Sequence, residues 1–157
     1  NDPRFDYFSA GSPDGARIAF TRILAGDIGD IFVMNADGSG QTNLTNSGVV
    51  DVGSDWSPDG TKIAFGSYPS SNWEVFVMNA DGGGQTNLTN NPALDWDPAW
   101  SPDGTKIAYL SRGVQSSNPE GDYEIYRMST VDGSGKKNLT NNDAEYDESP
   151  EWGRSAM

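Results

Sequence analysis

Short apolar runs alternate with turn-forming residues along the whole chain. The runs are rich in β-branched and aromatic side chains, as in Val75–Met78 and Ile107–Leu110, and they are bounded by Gly, Pro, Asn or Asp. No segment long enough for a stable helix places its apolar residues at helical spacing. The pattern therefore predicts an all-β protein built from many short strands.

Two motifs recur three times in the same order. Copies of Ser-Pro-Asp-Gly begin 45 and 44 residues apart, at Ser12, Ser57 and Ser101. Copies of Asn-Leu-Thr-Asn follow them, at Asn43, Asn87 and Asn138. The chain is thus three copies of one unit of about 44 residues, and the third copy is lengthened mainly between Leu110 and Tyr123.

Each unit predicts four antiparallel strands. In the third copy, the first strand runs towards Trp100, and the Ser-Pro-Asp-Gly turn joins it to a second strand at Thr105–Leu110. A loop leads to a third strand at Glu124–Met128, and an Asp-Gly hairpin turn leads to a fourth strand that ends in Asn-Leu-Thr. Four-stranded units of ~40–50 residues are typical of β-propeller blades. The alternative is a linear solenoid, which units of this kind favour less.

The units set the domain organisation. We predict a single propeller domain over residues 1–157, with three blades at about 4–46, 49–90 and 93–141. The stretch Tyr146–Trp152 matches the start of a further unit. An additional inner strand is therefore predicted at about 145–152.

The repeat has a specific resemblance. The stretch Asp97–Tyr109 reads Asp-Pro-Ala-Trp-Ser-Pro-Asp-Gly-Thr-Lys-Ile-Ala-Tyr, and a Glu-Ile-Tyr-Arg-Met strand and an Asn-Leu-Thr-Asn-Asn segment follow it. This combination resembles the WD40-like repeat of TolB-type propellers over nearly the whole chain. The resemblance implies a six-bladed propeller in which the Trp strand is innermost. It also implies a periplasmic or extracellular location, and a role in binding other proteins or as an accessory domain of an enzyme.

Three blades do not close a propeller, which needs ~4–8 of them. An open arc would expose the apolar faces of its first and last blades. Two copies joined end to end supply the six blades that the resemblance implies, so we predict a homodimer that forms one ring. The additional strand could then complete the first blade of the second copy, because Gly11 stands there where Trp56 and Trp100 stand in the other blades. The competing interpretation is a fragment of a longer propeller.

Composition excludes several kinds of site. The chain has neither Cys nor His, so thiolate metal sites and catalytic pairs that need His are excluded. The chain has ten Lys and Arg residues and 23 Asp and Glu residues. The resulting formal net charge of −13 disfavours nucleic acid and anionic membranes as partners. No apolar run approaches the ~18 residues that membrane insertion requires. Cations and basic partners are favoured instead.

One aspartate recurs at the start of each predicted inner strand. Asp51, Asp95 and Asp147 each stand five residues before a Trp, and Asp6 has the same place before the first Ser-Pro-Asp-Gly. Rotation about a propeller axis brings such residues towards one mouth, so these four are the predicted metal ligands. Oxygen ligands without His or Cys select a hard cation, and this set suits Ca²⁺. The alternative is that each Asp caps a turn or bonds backbone amides between blades.

These observations favour a non-enzymatic binding and assembly module whose ring closure depends on calcium. The loops before the third strands share one rim, and Tyr68, Trp73 and Tyr123 lie in or beside them. A partner protein is therefore predicted at this rim or at the channel mouth. The alternative function is a carbohydrate-active lyase or glycoside hydrolase that uses carboxylates at the channel mouth. No catalytic residue is predicted, because nothing singles out one acidic pair from the repeat.

Overall fold

A computed structural model describes residues 5–24, 26, 28–113, 121–141, 147 and 149–152 of the chain. These residues form twelve β-strands joined by turns and loops. In this part of the chain there is no helix with the length and hydropathy to cross a membrane.

The strands form three antiparallel sheets of four, and in each sheet the strands lie in chain order. The first sheet contains β1 (Asp6–Gly11), β2 (Arg17–Ile23), β3 (Gly29–Asn35) and β4 (Thr42–Asn43). The second contains β5 (Val50–Trp56), β6 (Lys62–Tyr68), β7 (Glu74–Asn79) and β8 (Thr86–Asn87). The third contains β9 (Leu94–Trp100), β10 (Lys106–Arg112), β11 (Tyr123–Ser129) and β12 (Lys137–Asn138). The predicted all-β architecture of three four-stranded blades is confirmed.

The blades pack face to face through apolar side chains on both surfaces of each sheet. Ile63 and Phe65 of β6 lie in a core shared with the first blade, whereas Ala64 between them lies in a core shared with the third. This alternation follows from the period of two along a strand. Trp56 lies in the first of these cores and Trp100 in the second. The tryptophans of the second and third inner strands therefore pack between their own blade and the preceding one.

The outer strands pair over two residues only, and a threonine side chain continues the hydrogen bonding. In the second blade, the N–H of Leu88 donates to the carbonyl of Val75 (2.9 Å). The N–H of Val75 then donates to Oγ1 of Thr89 (3.0 Å) rather than to a backbone oxygen. The same pair of bonds recurs at Thr45 in the first blade and at Thr140 in the third. The repeated Asn-Leu-Thr thus has a structural role at the outer edge of every blade.

The predicted additional strand at about 145–152 is described only in part, since residues 142–146 and 148 lie outside the described residues. Residues 147 and 149–152 belong to no sheet. They nevertheless take the position of an inner strand beside the third blade. The indole N–H of Trp152 donates to the carbonyl of Ala99 (3.0 Å), as that of Trp56 donates to the carbonyl of Ala10 (3.1 Å).

Candidate functional site

The inner strands share a bulge that shapes the concave edge of the arc. Strand register shifts within β1, β5 and β9. The bulged positions have φ values of 51°, 62°, 55° and 33°, at Phe8, Gly53, Asp97 and, in the segment after the third blade, Ser149. Positive φ is costly for side chains other than glycine, so the repeat holds three of these residues in a strained conformation. All four residues line two adjoining cavities at the inner edge, the axial cavities.

The first cavity has a volume of about 450 Å³ and a mainly apolar lining. Apart from the bulged residues, it is lined by Val52, Trp96, Leu110, Tyr123 and Asp147. The rings of Trp96 and Tyr123 meet edge to face, with centroids 5.1 Å apart and an angle of 79°. The guanidinium of Arg112 lies 5.0 Å above the Tyr123 ring and donates to its hydroxyl (3.3 Å). An aromatic lining with carboxylates at its edge suits an apolar or cationic side chain of a protein partner.

The second cavity, of about 550 Å³, is more acidic. It is lined in part by Asp55, Trp100 and Glu151. Burial raises the pKa of Asp55, and the charge of Glu151 acts in the same direction. The backbone N–H of Trp100 donates to Oδ2 of Asp55 (2.7 Å), which opposes that shift. Asp55 therefore joins the inner strands of the second and third blades.

Two of the four predicted metal ligands are buried at blade boundaries. Asp51 accepts a hydrogen bond from the Ser47 hydroxyl (2.7 Å), and Asp95 accepts one from the Asn91 side-chain amide (2.6 Å). Burial raises the pKa of Asp51, and it raises the pKa of Asp95 to about 6. Each carboxyl is thus held in an environment that disfavours its charge.

A second acid from the preceding blade faces each of these aspartates. The charge of Asp30 contributes to the raised pKa of Asp51, and the charge of Glu74 contributes to that of Asp95. Within the second blade, the Thr89 hydroxyl donates to Oε2 of Glu74. Each boundary between blades therefore contains a pair of acids, and a threonine hydroxyl donates a hydrogen bond to the acid of the preceding blade. Sequence spacing gave no sign of this pairing, because the two acids lie in different strands of different units.

The other two predicted ligands have different surroundings. Asp6 is exposed and accepts two hydrogen bonds of 2.8 Å from Arg22. Asp147 lines the first cavity, and its N–H donates to the carbonyl of Tyr123 (3.3 Å) as the N–H of Asp95 does to that of Trp73 (2.9 Å). Each inner segment thus contains one of the four predicted ligands, in the order Asp6, Asp51, Asp95 and Asp147.

Among the described residues, no three acidic side chains come together closely enough to hold one metal ion. The three repeated aspartates at positions 51, 95 and 147 nevertheless share one property. Each has one buried carboxylate oxygen that accepts no hydrogen bond within the described ranges. Calcium binding by these residues stays a prediction.

The cavities contain residues that sequence reasoning did not select. Val52 and Trp96 each follow a repeated aspartate directly, and Asp97 occupies the bulge. The signal available in the sequence was the variable residue beside each repeated aspartate. Of the predicted rim aromatics, Tyr123 lines the first cavity. Tyr68 and Trp73 instead pack against each other, with centroids 5.3 Å apart. Residues 114–120 of the third rim loop lie outside the described residues.

Comparison with known proteins identifies the repeat. No family model matches the chain. Over 45 residues the chain is 51% identical to the Tol-Pal system protein TolB of Anaeromyxobacter dehalogenans. The aligned residues make up 29% of this chain and 10% of that protein. The chain thus aligns with only a small part of the curated relatives that it matches.

Solved structures match over most of the chain. A putative TolB from Agrobacterium tumefaciens aligns with a TM-score of 0.73 at 26% identity, over 88% of this chain and 49% of that one. TolB from Acinetobacter baumannii aligns with a TM-score of 0.71 at 24% identity, over 85% of this chain and 32% of that one. Some enzymes share the fold alone. An oligogalacturonate lyase from Vibrio parahaemolyticus aligns with a TM-score of 0.59 at 14% identity, over 86% of this chain and 39% of that one. The fold is that of a β-propeller, and in its repeat sequence and its fold the chain is similar to TolB.

Proposed function

We propose that the chain is a non-enzymatic protein-interaction module, periplasmic or extracellular, that forms a six-bladed ring with a second copy of itself. The axial cavity lined by Trp96 and Tyr123 receives a side chain of a protein partner. Resemblance to TolB supports the interaction role. The observation that carries ring closure is a contact that recurs at each blade boundary and is missing at the two open faces.

The recurring contact joins a hairpin-turn glycine to the leucine of the preceding Asn-Leu-Thr. A Cβ on Gly82 would lie 2.7 Å from the carbonyl oxygen of Leu44, and one on Gly133 would lie 2.0 Å from that of Leu88. Leu88, covered in this way, is 5% exposed. The equivalent Leu139 in the third blade is 46% exposed. The third blade therefore presents a surface shaped to take one more hairpin turn.

The first blade presents the matching half. Gly38 occupies the same turn position, and a Cβ there would meet no atom within 4 Å. At the start of the inner strand of this blade, Phe5, Tyr7 and Phe8 are exposed. The ring of Tyr7 stacks on that of Phe5 and is tilted against that of Phe8, with a centroid distance of 6.2 Å in each pair. Exposed aromatic residues of this kind indicate that this inner strand is not packed into the core of a single copy. A second copy whose third blade meets this face would bring Leu139 to Gly38.

The segment after the third blade supplies the missing tryptophan. Trp152 and Gly11 have equivalent positions in their inner segments, and a Cβ added to Gly11 would meet no atom within 4 Å. The segment Asp147–Trp152 of one copy and β1 of the next cannot both be the inner strand of the same blade. We infer that the segment with Trp152 takes that place and that β1 is displaced.

The solution mass tests ring closure. The 157-residue chain should elute with the mass of a dimer at micromolar concentration. Gly38→Ala should shift the mass towards the monomer, because the added methyl group would meet the Leu139 backbone of the second copy. Gly135→Ala is the matched control, since Gly135 also has positive φ (64°) but no neighbour within 4 Å of an added Cβ. A stable, soluble wild-type monomer at this concentration would overturn the dimer.

The axial cavity is tested separately. A protein captured by the folded chain and identified by mass spectrometry should be lost with Trp96→Ala. It should be retained with Tyr68→Ala, which removes an exposed aromatic residue that lines neither axial cavity. Equal capture by both variants would exclude this cavity as the contact.

The enzymatic alternative requires a carboxylate that is available for chemistry. Asp55 is engaged by the backbone of Trp100, and Asp97 and Glu151 are the other acids of the second cavity. Incubation with acidic and neutral oligosaccharides should give no cleavage product. Cleavage that Asp97→Asn or Glu151→Gln abolishes would establish an enzyme in place of the proposed module.

A further inference from the structure

A groove opens between the second and third blades, and Trp100 separates it from the second cavity, which that residue also lines. Its volume is about 420 Å³, which lies within the range of ligand pockets. Trp100 lines it together with two aspartates of Ser-Pro-Asp-Gly turns, Asp59 and Asp103, and with Lys62 and Gly104. None of these residues lines the first axial cavity.

The boundary between the first and second blades shows what occupies the corresponding position there. Arg17 is the first residue of β2, as Lys62 is of β6, and each faces the last residue of the following strand. The guanidinium carbon of Arg17 lies 4.6 Å from the centre of the Trp56 ring. Its Nη2 donates to the carbonyl of Gly60 (3.5 Å). In the first boundary, a guanidinium thus covers the tryptophan of the next blade.

Lysine does not repeat this contact at the second boundary. The ammonium of Lys62 donates to Oδ1 of Asn79 (3.1 Å) on its own blade. In the first blade, the equivalent Asn35 donates to the Ser39 hydroxyl (3.0 Å), and Gly83 stands where Ser39 stands. Loss of that serine and replacement of arginine by lysine leave the position over Trp100 without a guanidinium.

The charge of the groove suits a cation. Asp59 Oδ1 accepts hydrogen bonds from Ser57 and Thr61, and Asp103 Oδ1 accepts them from Ser101 and Thr105. The Ser57 hydroxyl is the main cause of the lowered pKa of Asp59, and hydrogen bonds from Ser101 and Thr105, that of Ser101 being the largest cause, lower the pKa of Asp103 to about 2. Both carboxylates are therefore ionised at neutral pH, and the chain as a whole carries a formal charge of −13.

We propose that this groove binds an arginine side chain of a partner protein, stacked on Trp100 in the way that Arg17 stacks on Trp56. A guanidinium fits better than an ammonium, because its plane can lie on the indole ring while its N–H groups reach the carboxylates and the Gly104 carbonyl. The Thr130 hydroxyl already donates to that carbonyl (3.1 Å), which leaves its second lone pair for the guanidinium.

The experiment uses N-acetyl-arginine amide as the probe, with the full 157-residue chain labelled with ¹⁵N. The indole N–H signal of Trp100, assigned with Trp100→Phe, should shift as the probe is added, with a dissociation constant of roughly millimolar for one such contact. N-acetyl-citrulline amide has nearly the same shape without the charge and should leave the signal unchanged. N-acetyl-lysine amide should bind several-fold more weakly. An unshifted Trp100 signal at saturating arginine probe overturns the proposal.

Two reciprocal variants make the test specific. Lys62→Arg should fill the groove from within the chain and abolish the shift of Trp100. Arg17→Lys should open the first boundary, so that the probe shifts the Trp56 signal as well. Thermal melting verifies that both variants are folded. If Lys62→Arg binds the probe as the wild type does, the probe is elsewhere and the proposal is wrong. Because the readout is one indole signal, it is independent of the mass measurement that tests ring closure.

Discussion

Arg22 holds Asp6 with two hydrogen bonds of 2.8 Å, at a position where the other blades have serine. Asp6 faces Arg22 in the strand register, as Asp51 faces Ser67 and Asp95 faces Ser111. The arginine neutralises an exposed carboxylate at the open face of the first blade. The two serines stand opposite carboxyls that are buried against the preceding blade. One repeat position therefore has two electrostatic environments, which are set by whether a preceding blade is present.

The buried environment predicts a pH dependence of stability. Burial raises the pKa of Asp95 from 3.8 to about 6. Between about pH 4 and about pH 6, Asp95 retains a proton in the folded state that it has lost in the unfolded state. Its contribution to the free energy of unfolding therefore falls as pH rises from about 4 to about 6, and it is constant above about pH 6. Asp95→Asn removes this pH-dependent contribution, because asparagine does not titrate. Relative to the wild type, the variant should therefore be more stable at pH 7 than at pH 4, with a difference on the order of 2 kcal/mol.

Urea unfolding at the two pH values measures that difference. Asp51 and Asp55 also have raised pKa values, but their contributions cancel because both proteins contain them. An equal effect of Asp95→Asn at pH 4 and pH 7 would contradict the buried, charge-disfavouring environment of this carboxyl.

The threonine of Asn-Leu-Thr predicts a different loss. In the second blade, Thr89 accepts from the N–H of Val75 (3.0 Å) and donates to Glu74. Thr89→Val keeps the shape but leaves a buried N–H and a buried carboxylate without this partner. Since each unsatisfied group costs ~1–3 kcal/mol, the free energy of unfolding should fall by at least about 2 kcal/mol. Thr89→Ser, the control, retains the hydroxyl and should lose less than half as much.

The sequence predicted the fold well because the repeat is explicit. Ser-Pro-Asp-Gly and Asp-Gly turns fix the strand order, and apolar residues on both faces of runs such as Val75–Met78 indicate a sheet covered on both sides. The length of the outer strands was harder to predict. Thr89 looks like a strand residue, but its side chain takes the hydrogen bond that a backbone oxygen would accept, so regular pairing ends at Asn87.

The site was less predictable, because contacts between blades join residues of different units. Equal spacing indicates that Asp51 and Asp95 are equivalent, but it does not reveal that each faces an acid of the preceding blade. The bulge at Asp97 is similarly hidden, since Gly53 at the equivalent position suggests a positive φ and Asp97 does not. Only the three-dimensional arrangement shows which of these residues line a cavity.

Calcium binding is predicted from the repeated aspartates and tested by titration. Asp51, Asp95 and Asp147 each have a buried carboxylate oxygen without a hydrogen-bond donor in the described part of the chain. Calcium should stabilise a closed ring by mass action, raising the melting temperature and the dimer fraction of EDTA-treated protein. Asp51→Asn should reduce both effects. If millimolar Ca²⁺ gives no heat of binding, no rise in melting temperature and no change in mass, these aspartates serve the blade boundaries alone.

The hairpin-turn glycines predict a position-dependent cost within one chain. Gly133 has a φ of 69°, and an added Cβ would lie 2.0 Å from the carbonyl oxygen of Leu88. Gly135, two residues later, has a φ of 64° and open space around it. Alanine at either position meets the same backbone strain, but only Gly133→Ala must also push the second and third blades apart. Gly133→Ala should therefore lower the free energy of unfolding by ~1–3 kcal/mol more than Gly135→Ala, the range that overpacking costs. Denaturant unfolding of the two variants measures the difference, and equal losses would mean that the turn does not pack against Leu88.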